Sequence, residues 1–283
     1  MSAPGFWRLA WQRLRAHRLS MAAATLLGAI ALASLLVPWL SPYDYSTPRF
    51  DLIARAPMLA GGHLLGTDAL GRDLLVRVMW GCRISLAIGL AASLASVLLG
   101  VAWGATAGYV GGVTDALMMR TVDVLYSVPF VPFVIVLMVL FGRELWLIFA
   151  AIGAVSWLDI ARIVRGQTLS LKQREYIEAA RVAGVRGARM IARHIVPNLM
   201  GIVVIYATLT IPTVMLFEAF LSFLGLGVQS PLASLGTLVA DGASDMQSHP
   251  HLLIVPSVLL ALLVYGFNYL GDGLRDALDP RER

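Results

Sequence analysis

The sequence predicts an all-α polytopic membrane protein with six transmembrane helices. Three observations carry this: sparse charge, six apolar stretches of span length, and arginines crowded on alternate sides of them. Of the 283 residues, 58% are hydrophobic and only 14% charged, with a mean hydropathy of +0.77. A soluble domain carries about a quarter charged residues. No polar segment is long enough to bury an aqueous core of its own, so one membrane domain is expected.

The expected spans are Met21 to Leu40, Ile84 to Ala107, Val122 to Phe141, Leu145 to Val164, Leu199 to Leu224 and Leu252 to Leu270. Each is near the ~20 residues that the hydrocarbon thickness requires. The first is too long for the core of a cleavable signal and runs into Pro38-Trp39-Leu40, so it reads as a retained span. An even number of spans puts both termini on one side. Arg8, Arg13, Arg15, Arg18, Arg120, Arg162, Arg165, Lys172, Arg174, Arg181, Arg186, Arg189, Arg193, Arg275, Arg281 and Arg283 fall on that side. Arg49, Arg55, Arg72, Arg77, Arg83 and Arg143 fall on the other. The excess marks the termini as cytoplasmic. The chain then divides into a cytoplasmic start 1–20, a first span 21–40, an extracytoplasmic amphipathic segment 41–83, a core 84–270 of five spans, and a cytoplasmic end 271–283.

Within 41–83, Gly66-Thr67-Asp68 reads as a helix start, with Leu70, Leu74, Leu75, Val78 and Met79 recurring at helical spacing behind it. Such a helix can lie in the membrane interface, its charges solvated. After the inner turn Gly108 to Gly112 come Asp115, Arg120 and Asp123. Arg120 and Asp123, three apart, suit a local ion pair; a contact to another subunit or to the charged stretch 170–198 is the alternative. Pro129, Pro132, Gly153, Pro212 and Pro256 interrupt the later spans, as a moving pathway would allow. Glu218 is the one acid deep in an expected span, so it faces the bundle interior or a cavity. It lines a path, holds an interface with another subunit, or makes a structural hydrogen bond. His249 and His251 bracket Pro250 without a third ligand, which fits a surface loop better than a metal site. Cys82 alone excludes an internal disulfide.

The stretch 170–198, SLKQREYIEAARVAGVRGARMIARHIVPN, is the only long run dense in charge. Ser170 and Gln173 fit a capping box. Arg174 with Glu178 and Glu178 with Arg181 stand at helical neighbour spacings. Gly184 ends a first short helix, and Gly187 to Val196 forms a second, closed by Pro197. Ala179, Ala180 and Ala183 leave one side of the first helix nearly bare, a face another protein can approach closely.

Glu178-Ala179-Ala180, then Gly184, then Val196-Pro197 resembles the EAA loop of the membrane subunits of bacterial ATP-driven importers. His194 and Val196 stand where Ile and Leu are usual. They are similar to the oligopeptide and dipeptide branch, as are Gly66-Thr67-Asp68, Gly71-Arg72-Asp73, Arg77, Gly81, Arg83, Ser85-Leu86 and Leu221 to Gly227. Leu235 before Gly236 departs from that branch, where Trp is frequent.

The resemblance implies the type I ABC importer permease fold, with Glu178, Ala179, Ala180, Arg181, Gly184 and Pro197 in a cytoplasmic coupling helix that sits in a groove of an ATPase. Glu218, Pro212 and Ser222 become candidates for the pathway or the permease interface. It further implies a second homologous permease subunit, two ATPase subunits, an extracytoplasmic solute-binding protein, a bilayer of the inner membrane, and di- or oligopeptide cargo, with nickel or another small solute as the alternative.

No P-loop motif occurs, and the only lysine is Lys172. The chain is therefore expected to cradle no nucleotide, with ATP and Mg on partner subunits. No metal site, catalytic constellation or nucleic-acid groove is expected. A self-sufficient secondary transporter would predict ionisable groups in several spans, and a purely structural membrane protein would leave the bare loop helix unexplained.

Overall fold

The computed structural model of the chain describes residues 6–58, 62–142 and 144–278, and every regular element among them is helical. Arg143, Arg281 and Arg283, used above to orient the chain, lie outside the described residues. In order come α1 Phe6–Ala16, α2 Arg18–Leu40, a 3-10 turn Phe50–Leu52, α3 Leu74–Val110, α4 Gly112–Ser127, α5 Phe130–Phe141, α6 Leu145–Leu171 and α7 Glu175–Val182. A short α8 Ala188–Met190, a π-helical turn Ile191–Ile195, α9 Val196–Phe223, α10 Leu235–Ser244 and α11 His251–Leu278 follow.

Among the described residues, five helices are long and apolar enough to cross a membrane, six if α4 and α5 count as one broken span. Those two meet at 82°. Pro129 explains the break: it bars Val128 from the helical region, and Val128 is indeed extended with ψ 123°. The expected interruption of the span Val122 to Phe141 is thus a full break into two helices, the first of which begins earlier, at Gly112.

α3 is the central element. It begins at Leu74, well before the expected Ile84, because Asp73 caps it by accepting from the Val76 amide at 2.8 Å. Leu74, Leu75, Val78 and Met79 belong to the first turns of this 37-residue helix rather than to a separate interfacial helix. α3 packs on α6 through Gly100, Gly104 and Gly108. A Cβ at these positions would stand 2.6 Å from Ile160 Cβ, 2.3 Å from the Ala161 carbonyl oxygen and 2.8 Å from Thr168 Cβ. Small residues at a spacing of four let the two backbones touch, the usual way to bring helices together where lipid removes the hydrophobic drive.

α2 lies against α3 and α11. Pro38 deprives the Ser34 carbonyl of its helical donor. Arg83 of α3 supplies the replacement, its Nε donating to Ser34 O at 2.5 Å and Nη2 to Leu35 O at 2.6 Å. Large apolar side chains such as Leu32, Leu35, Leu94, Leu98, Val139, Leu140, Phe220 and Tyr265 face outward, as a bundle in hydrocarbon requires.

Contacts fix the direction of each helix. Gly273 near the end of α11 abuts Ser20 at the start of α2 and Leu14 of α1, and Gly108 near the end of α3 abuts Thr168 near the end of α6. Both ends of the described chain and the loop carrying α7 therefore share one end of the bundle. The segments 41–73 and 225–250 share the other.

Candidate functional site

α7 is held to the bundle by one side. Ile177 is fully buried in a cluster with Ala105, Ile160, Val164, Met190, Ile195 and Leu199, which come from α3, α6 and the helix that follows α7. Ala180 packs half-buried against the same cluster, so it does not belong to the bare face. That face consists of Glu175, Tyr176, Glu178, Ala179, Arg181, Val182 and Ala183, all exposed. Val182, an apolar side chain, is 90% exposed. Around it lie exposed Arg174, Arg186 and Arg189. Neither Arg174 nor Arg181 forms an ion pair with Glu178 among the described residues, so the expected pairs are absent and the charges point outward. Desolvation raises the Tyr176 hydroxyl above its ordinary pKa, opposed by the nearby Arg174 charge.

The ends of this loop differ from expectation in two places. Ser170 makes no capping box, because α6 runs on to Leu171 and the Ser170 hydroxyl donates back to the Gly166 carbonyl at 3.3 Å. α7 instead starts after Arg174 with no side-chain cap. Gly184 does end the turn as expected, with φ +87°, a left-handed conformation that glycine adopts without strain. Pro197 closes nothing: it sits in the first turn of α9, where its missing donor is least costly. The π turn before it lets the Val196 amide reach back five residues to the Ile191 carbonyl. Asn198 Nδ2 donates to the His194 carbonyl at 2.6 Å. A continuous helix from Ala188 to Phe223, 36 residues long, thus joins the loop to the bundle.

Glu218 is fully buried at the other end of α9. It accepts from Ser222 Oγ at 2.8 Å, from Ser234 Oγ at 2.5 Å and from Ser85 Oγ at 3.3 Å. Ser85 in turn accepts from the Leu235 amide at 3.0 Å, and Ser234 caps α10. One carboxylate therefore ties α3, α9 and the start of α10 together. Gly236 is required where the chains cross, since a Cβ there would meet Ala219 Cα at 2.6 Å and both Glu218 oxygens at 2.9 Å. Pro212 is buried midway along α9, and Ser222 is buried beside Glu218.

Only some charges of segment 41–83 are solvated: Asp44, Arg49, Asp51 and Arg55 are exposed, but a second set is not. His63, Asp68, Arg72, Asp73 and Arg77 are all buried. Asp73, while capping α3, also holds His63 Nδ1 at 2.8 Å. Asp68 accepts from Arg72 Nε at 2.7 Å and lies 3.0 Å from Arg77 Nε. Gly71, with φ +75°, lets the turn between them approach the Arg49 carbonyl, where a Cβ would stand at 1.7 Å. This folded knot is missed by reading those residues as an amphipathic strip; acids and arginines four apart, Asp68 with Arg72 and Asp73 with Arg77, are the signal the sequence offers.

The expected Arg120–Asp123 pair does not form. Arg162 of α6 donates to Asp123 at 2.9 Å and stacks on Tyr126 at 4.4 Å, while Arg165 grips Asp115 with two bonds of 2.5 and 2.7 Å. Both pairs bind α4 to α6 rather than α4 to itself, because α6 presents its arginines directly opposite. Among the described residues, no group of three or more His, Cys, Asp or Glu side chains could hold a metal ion.

A bundle of apolar spans with a broken third span and an exposed loop helix seated at one end is the architecture of a transporter's membrane subunit. The chain belongs to the family described as the binding-protein-dependent transport system inner membrane component, whose pattern matches residues 77–283. Residues 5–57 match the N-terminal TM domain of oligopeptide transport permease C. The chain is 52% identical over 277 residues to the oligopeptide transport system permease protein OppC of Escherichia coli K12, covering 98% of this chain and 92% of that one. It is 50% identical to the OppC protein of Haemophilus influenzae, covering 98% and 89%. It is 43% identical to the dipeptide transport system permease protein DppC of Bacillus subtilis, covering 97% and 85%. Among solved structures, a chain of the inward-facing MetNI methionine ABC transporter superposes with a TM-score of 0.59 at 19% identity, covering 70% of this chain and 94% of that one. That likeness is one of fold: the chain has the type I ABC importer permease fold.

Proposed function

We propose that this chain is the permease subunit of an ATP-driven importer of di- or oligopeptides, and that α7 is the helix through which partner ATPases drive it. The observation that supports this most directly is the two-sidedness of α7. Ile177 anchors it to the membrane bundle, while its other face, with Ala179, Val182 and Ala183 framed by Glu178 and Arg181, is bare. An isolated exposed valine and alanines amid charges cover little surface by themselves, yet allow close approach of a partner.

In this reading the end bearing α7 is cytoplasmic, as are both termini. ATP and Mg bind the partner ATPases, and this chain supplies no catalytic group. A second, similar permease faces it across the membrane, and a solute-binding protein delivers peptide at the opposite end. Movement of α7 passes to the bundle through Ile177 and through the continuous helix Ala188–Phe223, whose Pro212 is a natural bending point. Glu218 and Ser222 secure the outer segment to that helix, so they transmit its motion rather than contact the cargo. Alternating access follows from tilting this helix against α3.

The test is co-purification of the ATPase subunits with Glu178→Arg and with Gly184→Pro, alongside peptide uptake by the assembled complex. Gly184 has φ +87°, which proline cannot adopt. Both variants are expected to lose the ATPases and uptake while the membrane bundle still folds. Retention of the ATPases by both would overturn the assignment of α7.

A further inference from the structure

Between the buried knot of segment 41–83 and the stretch 222–245 lies a cavity of about 480 Å³, within the range of about 300–1,000 Å³ that small-molecule sites occupy. Its inner wall carries Arg72 and Arg77, which are 7% and 3% exposed and share the single carboxylate of Asp68. Arg72 spends its Nε on Asp68, and its terminal nitrogens have no acceptor among the described residues. Arg77 Nε, though close to Asp68, makes no aligned hydrogen bond, and Nη1 has only long contacts of 3.3 and 3.4 Å to the Tyr45 and Pro231 carbonyls. Two buried cations on one anion leave a positive charge without a contact partner, an arrangement that favours recruitment of an anion.

The mouth has the opposite sign. Asp241 is exposed there and Asp245 half-exposed. Neither forms an ion pair with Arg72 or Arg77 among the described residues, and Asp245 lies 3.7 Å from the ring nitrogen Nδ1 of His249. Asp241 nonetheless feels both arginines, which pull its carboxyl down against a larger upward push from desolvation. The acids and the arginines thus face one space, coupled across it but not in contact.

We infer that this cavity binds the free carboxylate end of a short zwitterionic peptide on Arg72 and Arg77, with the peptide's ammonium turned toward Asp241 and Asp245. The choice of a peptide rests on the permease reading above; the charge separation does not. A fork of unspent guanidinium donors suits a carboxylate.

The probe is trialanine, compared with trialanine amide and N-acetyl-trialanine, titrated calorimetrically into the purified full chain in lipid nanodiscs without any binding protein. Trialanine is expected to bind, and the amide to bind more weakly by on the order of tenfold or more, the usual worth of hydrogen bonds to a charged group. Arg72→Gln is expected to erase the difference between acid and amide. Should Arg72→Gln fail to fold, the exposed Asp241→Asn carries the test: it is expected to lose the preference for trialanine over the N-acetyl form and to keep that for acid over amide. The inference is overturned if the wild-type chain gives no binding heat at millimolar peptide, if it treats acid and amide alike, or if either folded variant retains the preference it should lose. Peptide uptake by the assembled wild-type importer tests the permease reading separately. Uptake without acid–amide discrimination in binding would remove this site and leave that reading standing.

Discussion

Replacing Gly104 by alanine should destabilise the protein, whereas the same replacement at Gly153 should not. Both glycines lie within the long helices α3 and α6. At Gly104 the new Cβ would stand 2.3 Å from the Ala161 carbonyl oxygen, 2.9 Å from the Arg165 backbone nitrogen and 2.9 Å from Val164 Cβ. Two of these three are backbone atoms, which cannot rotate away. Ordinary contact requires the helices to part locally by about 1 Å, enough to forfeit up to half of each dispersion contact along the seam. Overpacking of this kind costs about 1–3 kcal/mol, and an encounter with backbone belongs at the upper end. The gain in helix propensity from glycine to alanine returns only about 1 kcal/mol. The net expectation for Gly104→Ala is a loss of ~2 kcal/mol.

At Gly153 the nearest atom to a new Cβ is Ala95 Cβ at 3.9 Å, an ordinary contact. Only the propensity gain applies there, so neutral or slightly stabilising behaviour is expected. Thermal unfolding in nanodiscs, followed by tryptophan fluorescence, is a suitable assay, because Trp103 of α3 and Trp157 of α6 pack edge to face at 5.3 Å across the same seam. Equal stability of the two variants would refute the claim that close backbone approach at Gly104 holds α3 to α6.

Three further outcomes follow from the geometry. Glu218→Leu leaves the hydroxyls of Ser85, Ser222 and Ser234 without their shared acceptor. It should cost ~3 kcal/mol and speed limited proteolysis within 225–250. Ile177→Ala removes the fully buried anchor of α7, at about 2–5 kcal/mol of local stability. It should raise protease cutting in 172–187 while leaving the melting of the spans nearly unchanged. Asp44 accepts from the amides and hydroxyls of Ser46 and Thr47, and these bonds hold its pKa near about 2 against an ordinary 3.8. Because the folded value is the lower one, the stabilisation of this turn is present above pH 3.8 and lost as pH falls through 2. NMR titration of the Ser46 and Thr47 amide shifts should show that midpoint, and Asp44→Asn should abolish the transition.

The span pattern and the exposed loop were legible in the sequence because both depend on local composition. Apolar runs of span length force helices wherever water is absent, and Gly184 stops a helix by its own backbone freedom. Partner choice was not legible. Asp123 has Arg120 within one turn of its own helix, yet pairs with Arg162, since α6 brings that guanidinium alongside. The knot of Asp68, Arg72 and Arg77 looked like a charged strip because its burial comes from the distant stretch that includes Pro231. The missing donor of Pro197 predicts a terminator, but the π turn and the Asn198 side chain supply the accommodation that a linear rule omits.

By itself the sequence determined the class of the protein: sparse charge and apolar length decide that the chain enters a membrane, and each such stretch must satisfy its own backbone as a helix. It also set the charged run 170–198 apart from the apolar stretches on either side of it. The tertiary structure alone decided which face of α7 is free, because only packing shows Ile177 and Ala180 turned inward and Ala179 and Val182 turned outward. It decided, too, which groups hold the inward-facing Glu218, since its three serine partners come from α3, from α9 and from the start of α10. Local physics sets what each segment can be; the side chains that segments meet across the bundle set what each residue does.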